Sequence, residues 1–384
     1  MDDDCPGQVP ALDPRPGGGY VGRIAPTPSG LLHVGHASTF SIAMKRFHDA
    51  TVAVPVADSP PSSSCGGKLI LRIEDIDTLR CRDKAYVAAI PDDLLWLGVR
   101  CTHGYGIAEE ERRPIQITPL LELLLTPQER GLLYSDQGVS MEMGLGLGSY
   151  KQSERTPLYI RAWALLLERG AIYPCSYSRR QIDATLSSKS SQADSAATSD
   201  TTNIEPVFPP ELRPAYMQSA YSPDSDKDFD AHRPAHHFDT PNETINPNVA
   251  LTKDSVAWRF RVPDNETISF VDSNIGLTAF TSGKDFGDFI IWTRDGYPAY
   301  ELAVVVDDSL MAITEVVRGA DLLLSTARQL LLYRALGVSP PSFYHCPLVL
   351  DPKTGKKFSK RERSLSLKEL RKSGASPDDY IKID

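Results

Sequence analysis

Long apolar runs are missing from this chain of 384 residues: none approaches the ~18 consecutive apolar positions that a membrane-spanning helix needs. A transmembrane anchor is therefore not expected. Cysteine is scarce and unpatterned. The six present, Cys5, Cys65, Cys81, Cys101, Cys175 and Cys346, stand singly, so no disulfide framework is indicated and a reducing cytosol is the expected compartment. The opening residues are also short of the basic and apolar character a leader carries. The opening MDDDCPGQVP is acidic and proline-bearing, and reads as neither a secretory signal nor a mitochondrial presequence. No internal repeat is found. An excess of positive charge is also lacking: the net charge is −9, which at first sight speaks against a polyanionic ligand. The acidity is local, however. Residues 1–19 carry −3 and residues 183–250 carry −7, which leaves the remainder near neutrality and free to form a basic face.

What is present is a 41% hydrophobic, 24% charged make-up, sufficient for a real core in two or three domains or in one large α/β domain with insertions. Four segments read as inserted or unstructured. They are the tail 1–19, the turn-rich SPPSSSCGG (Ser59–Gly67), a stretch of about 103–148, and 184–203. Within 103–148, TPLLELLLTPQERGLL suits a helix while MEMGLGLGS is broken by glycine. The segment 184–203 is too poor in apolar residues to offset its ordering entropy. Between these lie clearer elements. YVGRIAP and KLILRIEDI read as strands. ASTFSIAMKRFHDA reads as a helix with Phe40, Met44 and Phe47 on its apolar face. DKAYVAAIPDDLLWLGV is helical despite Pro91, and QSERTPLYIRAWALLLERG is an amphipathic helix closed by Gly170. ELAVVVDD and ITEVVRG read as strands, and STARQLLLYRALG as a helix with Ser325 as N-cap and Gly337 as its stop. Strands alternating with helices predict an α/β fold with a doubly wound parallel sheet.

Two motifs carry chemistry. In LLHVGHA, Gly30 and Gly35 permit a tight strand-to-helix turn and close backbone approach, where ligand phosphates sit in such folds. His33 and His36 would face a phosphoryl group there. Metal binding by the pair is less attractive because no third ligand lies nearby in the sequence, and two solvated surface histidines are the plain alternative. The second motif is GKKFSKRERS, read as following a strand PLVL and a turn DPKTG. Its cations and serine at Lys356–Lys360 suit a loop that closes over polyphosphate, although a lysine run taken alone is more often a solvated loop.

The two motifs, in this order and separated by roughly 320 residues, resemble the ATP-binding motifs of class I aminoacyl-tRNA synthetases. GRIAPTPSGLLHVGHA, LRIEDID, DFIIWTRDGYPAYELAVVVDDSLMAITEVVRGADLLLSTARQLLLYRALG and KKFSKR are similar to glutamyl-tRNA synthetase catalytic domains. IEDID, RGAD and YPCSYSRRQI resemble the short paralogues, the glutamyl-Q tRNA(Asp) synthetases. The 23 residues after Arg361 leave no room for a helical anticodon-binding domain, which points the same way.

The resemblance implies a Rossmann-type catalytic domain formed by 20–170 and 258–384. Residues 171–257 would form an inserted acceptor-binding, zinc-finger-like subdomain. For the site it implies His33, Gly35, His36, Lys357, Ser359 and Lys360 around ATP. His33 and His36 would lie on the α-phosphate side and Lys360 would hold the β,γ-phosphates. Arg23 and Arg318 would pair with the carboxylates of glutamate, Glu74 would meet its ammonium, Tyr300 would add a hydrogen bond, and Ala25 and Thr27 would line the same pocket. Glu74 paired internally with Arg72 and Tyr300 as core are the plain alternatives. ATP with Mg2+ is the implied cofactor set. Glutamate and tRNA, tRNA(Asp) foremost, are the implied partners of a cytoplasmic monomer. The activity implied is formation of glutamyl-adenylate, then transfer to queuosine in the anticodon.

The pattern departs at the zinc site. Cys175 stands at the first ligand position, Tyr177 replaces the second cysteine, and no cysteine lies between Cys175 and Cys346. EPVFPPELRP, Glu205–Pro214, takes the distal half of the finger; His232, His236 and His237 are a conceivable substitute, although histidines in a proline-rich loop are more often solvated. Zinc is not expected, because one thiolate does not hold it. A truncated enzyme charging tRNA(Glu) and a catalytically silent tRNA-binding or synthetase-binding paralogue are the competing readings. A non-synthetase nucleotidyltransferase would lack RIEDID and VVRGAD.

Overall fold

The computed structural model describes residues 19–52, 67–107, 117–133, 145–190, 206–218, 250–349 and 366–379. The first strand, β1 (Val21–Ile24), is buried along its whole length. It pairs in parallel with β2 (Lys68–Leu71), Arg23 opposite Ile70, and β3 (His103–Gly104) extends the sheet beyond β2. Helices make the crossovers, as a parallel sheet requires. α1 (Val34–Val52) buries Phe40 and Phe47 and packs Met44 against the same cluster. α2 (Lys84–Trp96) is capped by Asp83, whose carboxylate accepts from the Ala85 amide, and it runs through Pro91.

The second half repeats the theme. β9 (Glu315–Gly319) and β10 (Ser342–Cys346) pair in parallel around α9 (Leu323–Ala335). Gly337 ends that helix in the left-handed conformation, at φ +65°. β6 (Thr267–Asp272) joins β10 in parallel and carries the antiparallel β7 (Gly276–Thr281). The halves meet at β1 and β9. There the Thr314 amide donates to the Val21 carbonyl at 2.9 Å, and Arg23 Nη1 donates to the Val317 carbonyl at 3.0 Å. Strand order therefore reverses between β1 and β9. Open α/β sheets bind ligands in the crevice at such a reversal.

A separate antiparallel sheet, β4 (Ile172–Cys175), β5 (Ala257–Phe260) and β8 (Phe289–Trp292), packs beside this core. Trp258 of β5 meets Trp163 edge-on at 4.8 Å. Trp163 lies on α5 (Thr156–Glu168). Among the described residues no helix is long and apolar enough to cross a membrane.

Several expectations need correction. ELAVVVDD is not a strand but α8 (Tyr300–Leu310), buried on nearly every face. β-branched valines favour strands only as a weak prior, and burial all round erases the polar face that would have marked a helix. Ser325 is not an N-cap. It lies inside α9 and its hydroxyl donates to Glu301 Oε1. PLVL does not form a strand where it is described, because β10 ends at Cys346 opposite Gly319, the last residue of its partner β9.

The stretch 103–148 is partly core. α3 (Pro119–Leu124) buries Leu120, Leu121 and Leu124, and α4 (Pro127–Leu133) follows. The segment beginning at 184 is helical at first, because α6 (Arg179–Ser190) continues into it; the short α7 (Ala215–Gln218) is the next described α-helix. The start of α6 is a reciprocal cap: the Ser178 amide donates to Gln181 Oε1 and the Gln181 amide to Ser178 Oγ. The tail 1–18 and most of the loop Ser59–Gly67 lie outside the described residues.

Candidate active site

The crevice between β1 and β9 gathers arginines. Arg23 projects from β1, with Nε 3.5 Å from Asp308 Oδ1. Arg72, just beyond β2, is fully buried. Its Nη1 donates to Asp308 Oδ1 at 2.6 Å and its Nη2 to Glu74 Oε1 at 3.1 Å. Burial works against its charge, but Asp308, Glu74 and Asp307 outweigh it and hold the guanidinium protonated well above its usual range. Asp307 is held from the other side by Arg155, Gln152 and Tyr159. Successive residues on a helix point about 100° apart, so α8 turns Asp307 mainly to Arg155 and Asp308 to Arg72 and Arg23, with Arg72 Nε also 3.8 Å from Asp307 Oδ2.

The internal Glu74–Arg72 pair considered from sequence is therefore present. It engages only Oε1; Oε2 makes no hydrogen bond among the described residues. Burial pushes the Glu74 carboxyl up, and Arg72 and Arg23 pull it part of the way back. Tyr300 is the first residue of α8. Burial pushes its hydroxyl up to about 12, with Arg318 and Arg23 opposing and Glu74 and Glu301 adding to the rise. The phenol therefore lies within the field of all three expected glutamate contacts.

Arg318 sits on β9 opposite His345 of β10. Only 4% of it is exposed, and it donates to Gln329 Oε1 at 2.9 Å, Thr326 Oγ1 at 2.7 Å and His345 Nε2 at 3.2 Å.

The histidine turn opens α1. The Gly35 amide donates to His33 Nδ1 at 3.1 Å and the His33 amide to His36 Nδ1 at 3.2 Å, with the rings 4.0 Å apart. An Nδ1 that accepts a backbone N–H carries no proton, so each neutral imidazole keeps its hydrogen on Nε2. A Cβ on Gly35 would stand 3.0 Å from the His33 ring, so a larger residue there would press on that imidazole. Ala25 is half-buried and Thr27 exposed on the segment leading from β1 to this turn. Lys357, Ser359 and Lys360 lie outside the described residues, but both flanks of their segment are described. Cys346 ends β10, and Ser366 forms a bridge to His33 while the Leu367 amide donates to the Leu32 carbonyl at 2.8 Å.

The comparisons bear on this arrangement. The family model for tRNA synthetases class I (E and Q), catalytic domain, matches residues 20–207 and 232–382. The chain belongs to this family. A glutamyl-Q tRNA(Asp) synthetase of Symbiobacterium thermophilum is 34% identical over 94% of the chain and 84% of that relative. Another, of Nitratidesulfovibrio vulgaris, is 32% identical over 92% and 81%. Glutamate–tRNA ligase 2 of Syntrophus aciditrophicus is 31% identical over 93% of the chain but 54% of its own length. In fold, the chain is similar to a glutamate tRNA ligase of Elizabethkingia meningosepticum solved with its amino acid, at a TM-score of 0.56 and 23% identity, over 89% of the chain and 52% of that one.

A zinc site of the kind found in this family does not fit the residues around Cys175. Its thiol is buried in an apolar cluster with Tyr173, Ile182, Phe208 and Met217, while Tyr177 is exposed. His232, His236 and His237 lie outside the described residues. Among those described, no cluster of three His, Cys, Asp or Glu side chains could hold a metal ion. Elsewhere in this synthetase-family chain, sequence reasoning missed Asp307 and Asp308, hidden at the end of a supposed strand. It also missed Asp272, Glu301, Gln329 and His345. A buried arginine implies partners; that was the available signal, but only the fold says which.

Proposed function

We propose that this chain activates L-glutamate with ATP and transfers the glutamyl group to tRNA, with the queuosine base in the anticodon of tRNA(Asp) as acceptor, in the cytosol and as a monomer. One observation carries the reading: two guanidiniums, Arg23 and Arg318, a carboxylate, Glu74, and a phenol, Tyr300, converge at the strand reversal. Two carboxylates and one ammonium are their complement, and glutamate has that set.

In the reaction, an α-carboxylate oxygen of glutamate attacks the α-phosphorus of ATP. The bond from that phosphorus to the oxygen bridging to the β-phosphate breaks, and pyrophosphate leaves. A nucleophilic group of the queuosine base then attacks the adenylate carbonyl and releases AMP. No protein nucleophile is required. Positioning and charge stabilisation do the work, with the Nε2–H groups of His33 and His36 as donors toward the α-phosphate and Lys360 on the β,γ-phosphates. Lys357, Ser359, Gly35, Ala25 and Thr27 complete the assignment. Magnesium, where bound with ATP, would supply charge neutralisation of the polyphosphate.

The test is ATP–pyrophosphate exchange with glutamate, with and without tRNA, followed by transfer of labelled glutamate to tRNA(Asp) and tRNA(Glu). Exchange without tRNA and labelling of queuosine-bearing tRNA(Asp) are expected. Labelling of tRNA(Glu) would instead support the second reading, favoured by the 31% identity to a glutamate–tRNA ligase. No exchange under either condition would defeat both.

A further inference from the structure

Arg318 is unlike the other buried arginines of the crevice. Arg72 and Arg155 touch carboxylates directly, at 2.6 and 2.7 Å. Arg318 engages three neutral acceptors, and no carboxylate among the described residues forms an ion pair with it. Two carboxylates do approach, but each is held one side chain away. Asp272 Oδ2 lies 2.6 Å from His345 Nδ1, on the far side of the imidazole from Arg318. Glu301 Oε2 accepts from Gln329 Nε2 at 3.0 Å, and the amide turns its oxygen to Arg318.

We propose that His345 and Gln329 are positioning residues that hold Arg318 as a buried cation without a counter-ion, so that the pocket selects an anionic side group over its neutral amide. The proposal rests on the glutamate reading above. Each spacer fixes a hydrogen-bond direction. Asp272 takes the Nδ1 proton of His345, which leaves Nε2 a lone-pair acceptor for the Arg318 Nε–H. Glu301 takes an amide hydrogen of Gln329, which prevents the flip that would aim NH2 at the guanidinium. A substrate carboxylate is then the first anion to touch Arg318, whereas an amide leaves the cation uncompensated.

The charged groups facing the imidazole are Asp272 from β6 and Arg318 from β9; Thr326 of α9, the Leu322 backbone and the rings of Phe270 and Phe343 also lie against it. Burial pushes the His345 imidazole down, Arg318 pushes the same way, and Asp272 opposes. A second proton on Nε2 would aim an N–H at the Arg318 Nε–H.

Two experiments decide the matter. Gln329→Glu places a carboxylate against Arg318; a proton shared with Glu301 goes to Glu301, whose carboxyl burial already pushes up. Gln329→Met keeps size without charge. In the exchange reaction Gln329→Glu should raise the glutamate KM by about tenfold or more, leave the ATP KM little changed, and lower discrimination against glutamine, with Gln329→Met producing a smaller rise. Equal effects of the two substitutions, or equal effects on both substrates, would overturn the charge argument.

The second experiment is nitrogen NMR of the imidazoles in the unmodified protein, with His345→Asn identifying the resonance. It should show the Nδ1–H tautomer, with protonation only below the ordinary imidazole range. An Nε2–H tautomer, or titration within or above that ordinary range, would overturn the relay. The NMR measurement needs no turnover. Absence of glutamate exchange in the unmodified protein therefore counts against the functional reading, and the relay is judged separately.

Discussion

A buried guanidinium persists only where something answers its charge, and the residues of this crevice differ in what answers. Asp307 accepts from Arg155, Gln152 and Tyr159 and has no exposed surface. Removing its charge by Asp307→Asn strands Arg155, so a loss of about 3–5 kcal/mol in urea unfolding is expected. Adding Arg155→Met should recover part of it, because the two residues are in contact. Strictly additive losses would show that the pair is not coupled. At the histidine turn the two ring nitrogens have separate jobs. His33→Asn preserves an acceptor for the Gly35 amide but removes the outward Nε2–H. It should therefore lower the exchange rate by about 10²-fold with little change in melting temperature. His33→Ala removes both, and should also cost about 1 kcal/mol as a lost helix cap. Equal melting losses in the two variants would refute this division.

At the scale of elements, the contact of α2 with the last described α-helix, α10 (Leu367–Lys372), contains an unsettled charge. Asp93 is 1% exposed, neither oxygen has a hydrogen bond, and Arg371 Nη2 comes no closer than 3.6 Å. Burial pushes its carboxyl up to about 6; Arg371 and Lys368 oppose the rise and Asp92 adds to it. The folded protein therefore binds the proton more tightly than the unfolded chain does. Between about pH 4 and 6 stability should rise as pH falls, and the penalty is complete above the folded pKa. Asp93→Asn should raise stability at pH 7.5 by roughly 1–2 kcal/mol, a gain that vanishes near pH 4. Thermal denaturation at the two pH values checks it, and a gain independent of pH would refute it. Elements were legible in the sequence where one face is wet: α1, α2 and α5 show their period. α8 did not, since Val304, Val305 and Val306 are all buried and carry no contrast for the pattern to reveal. α6 was missed for the opposite reason. It is polar nearly throughout, and only Ser178, Gln181 and the buried Ile182 betray it.

The whole molecule brings together segments more than 280 residues apart, and this sets what a sequence can reveal of such a site. Arg23, Glu74 and Arg318 stood out as candidates because motifs marked them. Asp272, Glu301, Gln329 and His345 were not, because their meaning lies only in which side chain each one faces across β6, α8, α9 and β10. The same assembly seats α10 on the histidine turn: Ser366 bridges His33, caps α10 reciprocally with Glu369, and is followed by Leu367, fully buried. The turn is the element proposed to face the α-phosphate of ATP, so releasing this anchor should disturb nucleotide binding without touching Arg23, Glu74 or Arg318. Leu367→Ala removes most of the buried side chain that seats α10, a change costing about 2–5 kcal/mol at that contact. The expected outcome is a rise of about tenfold in the ATP KM for pyrophosphate exchange, with glutamate affinity in equilibrium binding changed far less. Equal losses for both substrates would mean that α10 supports the whole crevice, and no loss for either would mean that this anchor does not serve the nucleotide.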